Sequence, residues 1–463
     1  MSQPLTIERG RSATQAHAAR RRTGRTAAAS LLAGAALANV GMIVWMWWHG
    51  GNVTAVHSTG DFLTSIARLT GLLSAYLALV QVVLLARLPW LERLVGFDRL
   101  GVWHRWNGHV CLDLVLAHVF FSIWGYAALD QLPVRKEISM MLTGGIYPGM
   151  ITATIGTALM VLVVVSSVKL ARSSLPYQWW YAVHLTVYAA IALAWFHQIP
   201  TGNELVNGGL PTLYWKLLYV ATLAILIVFR VLTPVVKAFR YRLIVTEVRH
   251  ESPDVVSLVV QGRNLRRLDA KPGQFFLWRF LDRKRIWAAH PFSLSEAPNG
   301  ESLRITVKAL GDFTRALGEV EPGTRVVTEG PFGVFTADAR RGTRTVLIGG
   351  GIGITPIRAM MEELRSDAIV LYRVVTDAEA VLRDELEELA HATGAALHVL
   401  VGDHTTEEGA ALLSPAHLRE LVPDISRRDV FLCGPPGMVT TVKKSIRAVG
   451  VPRARIHTER FAY

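Results

Sequence analysis

Cysteine is nearly missing from this chain: its 463 residues hold two, Cys111 and Cys433. Cys111 lies within a long apolar segment and Cys433 in a Gly-Pro loop near the C-terminus, so an internal disulfide is not expected. Two thiols also cannot hold a plant-type iron–sulfur cluster, which takes four. Charge is scarce as well. Only 18% of residues are charged against 51% hydrophobic, a balance too apolar for an ordinary soluble chain. Acidic residues are outnumbered 36 to 49, for a formal net charge of +13. Such an excess can mark a nucleic-acid binder, but much of it sits beside hydrophobic segments, where membrane orientation explains it better. No internal repeat is present, and no low-complexity tract beyond a basic N-terminal tail.

What the chain has in abundance is apolar length, all of it before residue 239. Residues 1–26 are a polar tail with Arg20, Arg21, Arg22 and Arg25 ahead of an apolar run that continues to Trp48. That run, roughly 22 residues, suits a retained membrane helix better than a signal-peptide core. Five further spans follow at 62–86, 104–129, 150–170, 178–198 and 213–237. Connections after the first, third and fifth spans carry few basic residues, Arg135 and Lys136 excepted. The other side gathers Arg87, Arg93, Arg99, Lys169, Arg172, Lys237, Arg240 and Arg242. Positive charge stays on the cytoplasmic side, so a multi-pass cell-membrane protein with both termini in the cytoplasm is expected. Trp47, Trp48, Trp179, Trp180 and Trp215 sit near span ends, as interfacial aromatics do.

After Arg240 the periodicity changes. YRLIVTEVRH, VVSLVVQG, GQFFLWRF and LRITVKAL are short, β-branched, half-alternating runs between turn residues, which predicts an antiparallel β-barrel over 239–338. From 343 to 463, strands such as TVLIGG and AIVLYRVV alternate with helical patterns such as ITPIRAMMEELR. That alternation predicts an α/β doubly wound nucleotide-binding domain. The expected fold is therefore a six-helix transmembrane bundle over 27–238 followed by these two domains.

Histidine is costly in lipid and stays there with a partner or a function. The third span carries His104, His109 and His118; the fifth carries His184 and His197. His104 and His118 are fourteen residues apart, about 21 Å along a helix, and differ by only about 40° in azimuth. His109 falls off that face and is expected to be an ordinary membrane histidine. His184 and His197 match in depth, although ideal phase sets them about 140° apart. Two helices with paired imidazoles at matched depths point to two stacked metal-porphyrin sites, His104 with His184 and His118 with His197. A lone membrane histidine is otherwise a satisfied polar group or part of a proton relay.

The second half supplies an electron source. HPFSLS, from His290, lies between barrel strands and offers a hydroxyl and rings to a flavin. GDFT, from Gly311 to Thr314, precedes a short helical run whose amides suit a pyrophosphate. TVLIGGGIGITP runs a strand into Gly349, Gly350, Gly351 and Gly353 before Thr355 and Pro356 open a helix, although it is not the usual GxGxxG. Arg373 ends the next strand, where a basic residue favours the 2′-phosphate of NADP; it is equally well placed as a solvated strand-end arginine. FLCGPPGM brings Cys433 beside the expected nicotinamide position, and an aromatic near the C-terminus can stack on a flavin ring.

The order GQF, HPFS, GDFT, GPFG, GGGIGITP, CGPPGM and terminal aromatic resembles the ferredoxin–NADP⁺ reductase flavoprotein superfamily. With six spans and the histidine pairs, residues 30–463 resemble the NADPH oxidase and ferric reductase transmembrane family. The resemblance implies oxidation of NADPH or NADH by a cytoplasmic FAD domain, then single electrons through two b-type haems to a small external acceptor. It implies haem ligation by His104, His118, His184 and His197. It also implies flavin binding by His290, Pro291, Phe292 and Ser293, with Lys308, Gly311, Phe313 and Thr314. Nicotinamide binding falls to Gly349–Pro356, Arg373 and Cys433, Gly434 and Pro435; Phe461 stacks on the flavin, with Tyr463 its substitute. Cys433 and Phe461 are the residues nearest the hydride path. A ferric chelate and dioxygen lead among acceptors, ahead of a quinone or a partner protein; nucleic acid is not expected. The animal oxidases carry a further histidine one turn beyond the outer ligand of the third span, where this chain has Ser122. No calcium-binding loop is present, so constitutive activity or a separate regulator is expected. Two rivals keep the spans but not the chemistry: a haem-free membrane-anchored flavin reductase, and a transporter with a histidine relay and a nucleotide-sensing domain.

Overall fold

The computed structural model describes residues 29–145, 147–168, 177–365 and 368–459. The basic tail, Lys169, Arg172, Phe461 and Tyr463 lie outside them. The chain divides into two compact units: one runs to Leu88 and resumes over Phe97–Val231, the other takes Pro89–Gly96 and Leu232 onward.

Among the described residues, six helices are long and apolar enough to cross a membrane: Ala29–Asn52, Thr59–Leu84, Arg99–Leu129, Met150–Ser167, Trp179–Thr201 and Gly209–Tyr241. The protein is a multi-pass membrane protein. The third helix starts at Phe97, ahead of the expected boundary, because Arg99 and Arg105 interrupt the apolar run without breaking the helix. A π turn at Trp48–Asn52 carries the first span past Trp48. An unexpected amphipathic helix, Val134–Thr143, fills the connection between the third and fourth spans. The second span packs along the third and the fourth along the fifth. Ile43, Met46, Tyr76 and Trp215 bury a small core among the first, second and sixth. Just 6% of the fifth span's most apolar window is buried within the protein, so the rest of that surface needs another apolar environment.

Among the described residues, the other unit holds eleven strands in two sheets. Strands β1 (Leu243–Ser252), β2 (Val255–Gln261), β3 (Phe275–Phe280), β4 (His290–Ser293), β5 (Ser302–Lys308) and β6 (Arg325–Phe332) form a six-stranded sheet of order β4-β3-β6-β1-β2-β5. Every pairing in it is antiparallel. The two edge strands meet at one bridge, Leu294 to Ile305, so the ladder curls round without closing along its length. Phe276, Trp278, Phe280, Leu258, Leu294 and Ile305 fill its interior, each fully buried.

Strands β7 (Thr345–Gly350), β8 (Ala368–Val374), β9 (Ala396–Val401), β10 (Asp429–Cys433) and β11 (Ile456–Glu459) form a parallel sheet of order β11-β10-β7-β8-β9. The chain turns one way from β7 to β8 and β9, then crosses to the other side for β10 and β11. The switch therefore falls between β7 and β10, where doubly wound sheets open a crevice at their carboxyl ends. Separate apolar cores cover the two faces: Leu347, Tyr372 and Phe431 on one, Ile348, Leu371 and Leu432 on the other.

Phe276→Ala should cost about 3–5 kcal/mol, since it removes a buried ring from an interior that relaxes only partly. Ile244→Ala, 40% exposed on β1, should change stability by about 0.5 kcal/mol or less. Thermal unfolding of the purified full-length protein, followed by tryptophan fluorescence, compares the two.

Candidate functional site

The membrane histidines fall into two pairs. His104 and His118 stand on the helix Phe97–Leu129, His184 and His197 on Tyr177–Thr201. The His104 and His184 rings lie 6.1 Å apart between centroids, with planes at 52°. His197 lies within electrostatic range of His118 and hydrogen-bonds the Pro148 backbone. The fifth span stays α-helical from Tyr177 to Thr201, so its two rings leave the helix at different azimuths and no rewinding is involved. His109 is exposed.

Each imidazole turns Nδ1 toward an acceptor. His104 Nδ1 is 3.1 Å from the Gln81 carbonyl and His118 Nδ1 2.8 Å from the Ala67 carbonyl. A carbonyl only accepts, so in both rings Nδ1 carries the proton and Nε2 keeps its lone pair. The Ser167 hydroxyl donates to the Val163 carbonyl at 2.7 Å, leaving its oxygen to accept from His184 Nδ1 at 3.4 Å and from Trp180 Nε1 at 3.3 Å. Thr201 repeats this, donating to the His197 carbonyl at 2.5 Å and facing His197 Nδ1 at 3.4 Å. Trp180 also stacks on His184, centroids 5.0 Å apart. Gly71 makes the His118 contact feasible: a Cβ there would stand 2.8 Å from His118 Nδ1. Among the described residues no group of three or more His, Cys, Asp or Glu side chains could hold a bare metal ion. A metal bound by two imidazoles here must bring its other ligands with it, as a porphyrin does.

Several supporting residues were not singled out from the sequence. Asn107 Nδ2 donates to the Leu77 carbonyl at 2.9 Å and to Gln81 Oε1 at 2.7 Å, bracing the segment that receives His104. Arg68, the lone cation of the second span, is one residue from the Ala67 acceptor and donates to Asn52 Oδ1 at 2.9 Å. A polar side chain inside an apolar span was the available signal in each case.

In the antiparallel sheet, His290, Pro291, Phe292 and Ser293 form the edge strand β4, pairing Trp278 with His290 and Phe275 with Ser293. Proline is tolerated there because an edge strand can spare a donor. His290 stacks on Phe313 with centroids 3.8 Å apart, and Phe292 lies nearly parallel to both. Burial lowers the His290 pKa, so the ring is neutral at pH 7. Ser293 is 4% exposed, and its hydroxyl has no hydrogen-bond partner among the described residues. Thr314 is occupied locally: its oxygen accepts from the Leu310 and Gly311 amides at 2.9 Å. Lys308 pairs with Asp254 at 3.3 Å.

Gly349, Gly350, Gly351 and Gly353 end β7 and lead into the helix Ile354–Leu364 with Thr355 and Pro356 in its first turn. Cys433 pairs with Gly349 across β10 and β7, so Cys433, Gly434 and Pro435 flank the glycine loop at the switch point. The approach is close: a Cβ on Gly353 would meet the Cys433 carbonyl oxygen at 2.5 Å and Gly434 Cα at 2.8 Å. Cys433 is fully buried, and that burial, followed by the nearby Glu459 charge, pushes its thiol up, keeping it protonated. Arg373 ends β8 opposite Gly350. Its guanidinium donates to the Val374 carbonyl, to Leu400 O at 3.3 Å and to Gly409 O at 3.1 Å, bracing the loop after β9. Phe461, two residues beyond β11, lies outside the described residues.

Gly353→Ala should therefore cost about 1–3 kcal/mol through overpacking against backbone and weaken nicotinamide nucleotide binding at least several-fold. Thermal unfolding with and without NADPH reads both effects.

Three family models match in order along the chain: the ferric reductase like transmembrane component over residues 70–195, an FAD-binding domain over 240–336 and the oxidoreductase NAD-binding domain over 347–444. The chain is 29% identical over 187 residues to a ferredoxin–NADP reductase B of Sorangium cellulosum, covering 37% of this chain and 77% of that protein. It is 32% identical over 235 residues to a flavohemoprotein of Vibrio cholerae, covering 47% of this chain and 58% of that relative's length. A solved flavohem-like FAD/NAD binding domain of the Vibrio cholerae nitric oxide dioxygenase aligns with 47% of this chain and 98% of its own, at 28% identity and a TM-score of 0.39. Four of the apolar helices fall wholly or partly under the first model, and with the flavin and nucleotide models following in that order they place the chain in the ferric reductase and NADPH oxidase family of membrane oxidoreductases with a C-terminal ferredoxin–NADP⁺ reductase-type module.

Proposed function

We propose that this oxidoreductase moves electrons from cytoplasmic NADPH or NADH through FAD and two b-type haems to an external acceptor, a ferric chelate or dioxygen. The observation that carries the haem part is the state of the four imidazoles. All four have Nδ1 turned to an acceptor, and in His104, His118 and His184 this directs Nε2 away as a ligand atom, while the His197 ring also bonds the Pro148 backbone. Such outer partners orient a metal-bound histidine and raise its basicity. The spacing fits as well. Two metal–imidazole bonds of about 2 Å plus two ring half-widths of about 1 Å span roughly 6 Å, against the 6.1 Å between His104 and His184. A proton relay needs both ring nitrogens to exchange protons, and a carbonyl that only accepts at Nδ1 works against that.

The flavin face fits its cofactor by a different test. The buried Ser293 hydroxyl has no hydrogen-bond partner among the described residues, and a flavin along β4 would supply one, while the neutral His290 and Phe292 rings offer apolar surface. Gly349–Gly353 let the backbone come close to a nucleotide pyrophosphate, and the helix from Ile354 presents its N-terminus to that charge. When bound, these cofactors supply the redox chemistry: hydride removal from the nicotinamide and one-electron passage to the acceptor. The chain's own part is to hold the carriers in line and keep water away. Cys433, protonated and buried at the crevice, contributes bulk and a weak donor with no charge. The basic residues that flank the spans support a cytoplasmic nucleotide side.

His118→Ala and His197→Ala should each remove one of two haems while reduction of the flavin by NADPH survives. Haem and flavin counts with reduced-minus-oxidised spectra of anaerobic protein decide this, and two haems retained in both variants would end the ligand assignment. Flavin bleaching without haem bands in the native protein would instead identify a haem-free reductase. Gly71→Val, which drives a side chain into His118, should lower outer-haem content in the same assay and leave the flavin count unchanged.

A further inference from the structure

The flavin strand and the nucleotide domain are joined by a buried ionic network that neither cofactor motif explains. Arg304, on β5, has a side chain only 4% exposed. It grips Glu385 with two donors, Nη1 to Oε1 at 2.6 Å and Nη2 to Oε2 at 2.8 Å. Nη2 also donates to the Ser295 carbonyl at 3.1 Å, and Nε lies 3.5 Å from Glu296. Glu385 sits in the first turn of the helix Arg383–Thr393 and accepts again from Arg358 Nε at 2.8 Å. Arg358 in turn pairs with Glu362 on its own helix, and Glu362 accepts from the Ala297 amide at 3.1 Å. Arg249 reaches Glu385 from β1 at 3.9 Å, from a more exposed position.

Ser295 and Ala297 immediately follow the edge strand His290–Ser293. Arg358 and Glu362 lie on the helix that begins at the glycine loop. The network thus ties the end of the flavin motif to the helix leading out of the nucleotide loop. Burial alone would raise the Glu385 carboxyl, but Arg304 and then Arg358 hold it down at about 2, so it stays ionised. Buried pairs of this kind add little net stability over apolar replacements, whereas a bidentate fork fixes geometry. Val255 and Phe335, packed into the core under β7 and β8, keep an apolar contact between the two domains that does not involve the charges.

We infer that Arg304, Glu385 and Arg358 are positioning residues for flavin reduction, setting the gap between the nicotinamide and flavin sites. This rests on the NAD(P)H-to-FAD reading above. A shift of about 1 Å in a reacting geometry costs on the order of a hundredfold in rate, so loosening the fork is read in the rate of hydride transfer and not in binding.

The test is anaerobic stopped-flow reduction of the flavin in full-length holoprotein by saturating NADPH, with NADH in parallel. Glu385→Gln should lower the limiting rate about tenfold or more, with FAD content and the nucleotide dissociation constant unchanged. Arg304→Lys keeps the charge but loses the fork, so it should be slowed too, and it decides the matter if Glu385→Gln loses FAD. Native limiting rates, or a slower rate fully accounted for by lost FAD or weaker nucleotide binding, would overturn the inference alone. A native flavin that neither nucleotide reduces would overturn the functional reading, and this inference with it.

Discussion

An imidazole in hydrocarbon needs its polar atoms engaged, and the membrane half of this protein is arranged around that requirement. A helix already uses its carbonyls for its own ladder, so a histidine on a neighbouring helix can share one only where the two backbones approach closely. Gly71 permits this at His118, and the Asn107–Gln81 contact braces it at His104. On the fifth span the acceptors are hydroxyls, Ser167 and Thr201, each already donating to a backbone carbonyl. Once Nδ1 is fixed in this way, Nε2 has a defined direction, and the facing pair inherits it. The second span packs closely on the third and the fourth on the fifth, which brings the Gln81 and Ala67 carbonyls to His104 and His118 and Ser167 to His184.

The second half solves a different problem, how to bring a flavin edge and a nucleotide loop together without a membrane to hold them. An antiparallel sheet exposes an edge strand, and β4 carries His290 and Ser293 there. A parallel sheet opens at its switch point, and β7 and β10 place the glycine loop beside Cys433. Neither element fixes the distance to the other. Long-range contacts must do so, and Arg304 reaching Glu385 is the tightest polar one of them in the described residues near these motifs.

Much was legible in sequence because it depends on local pattern. Apolar runs of membrane length gave the six spans, with boundaries displaced by a few residues, as at Arg99 inside the third helix, at the π turn after Trp48 and at Gly209 and Tyr241 around the sixth. Alternation and the switch to strand–helix repeats separated the antiparallel sheet from the doubly wound one. The spacing of His104 and His118 gave their shared face, and the motif order gave the family.

Other features required the tertiary structure, for reasons that lie in the chemistry. A backbone carbonyl is the same for every residue, so nothing in the letters marks Ala67 and Gln81 as histidine acceptors. The azimuth mismatch of His184 and His197 could not be resolved from phase alone, since it depends on where the neighbouring helix stands. Arg373 read equally as a contact for the 2′-phosphate of NADP or as a solvated strand-end cation; in the fold its guanidinium is turned to the carbonyls of Leu400 in β9 and of Gly409 beyond it. Arg304 and Glu385 are ordinary charged residues 81 positions apart, and their pairing exists only once two domains meet. The sequence by itself determined the spans, the strand and helix pattern and which histidines lie within the spans, because each follows from a short local pattern. The direction of every ring, the burial of Cys433 and the ionic fork were decided by contacts between segments far apart in the chain, which no local pattern encodes.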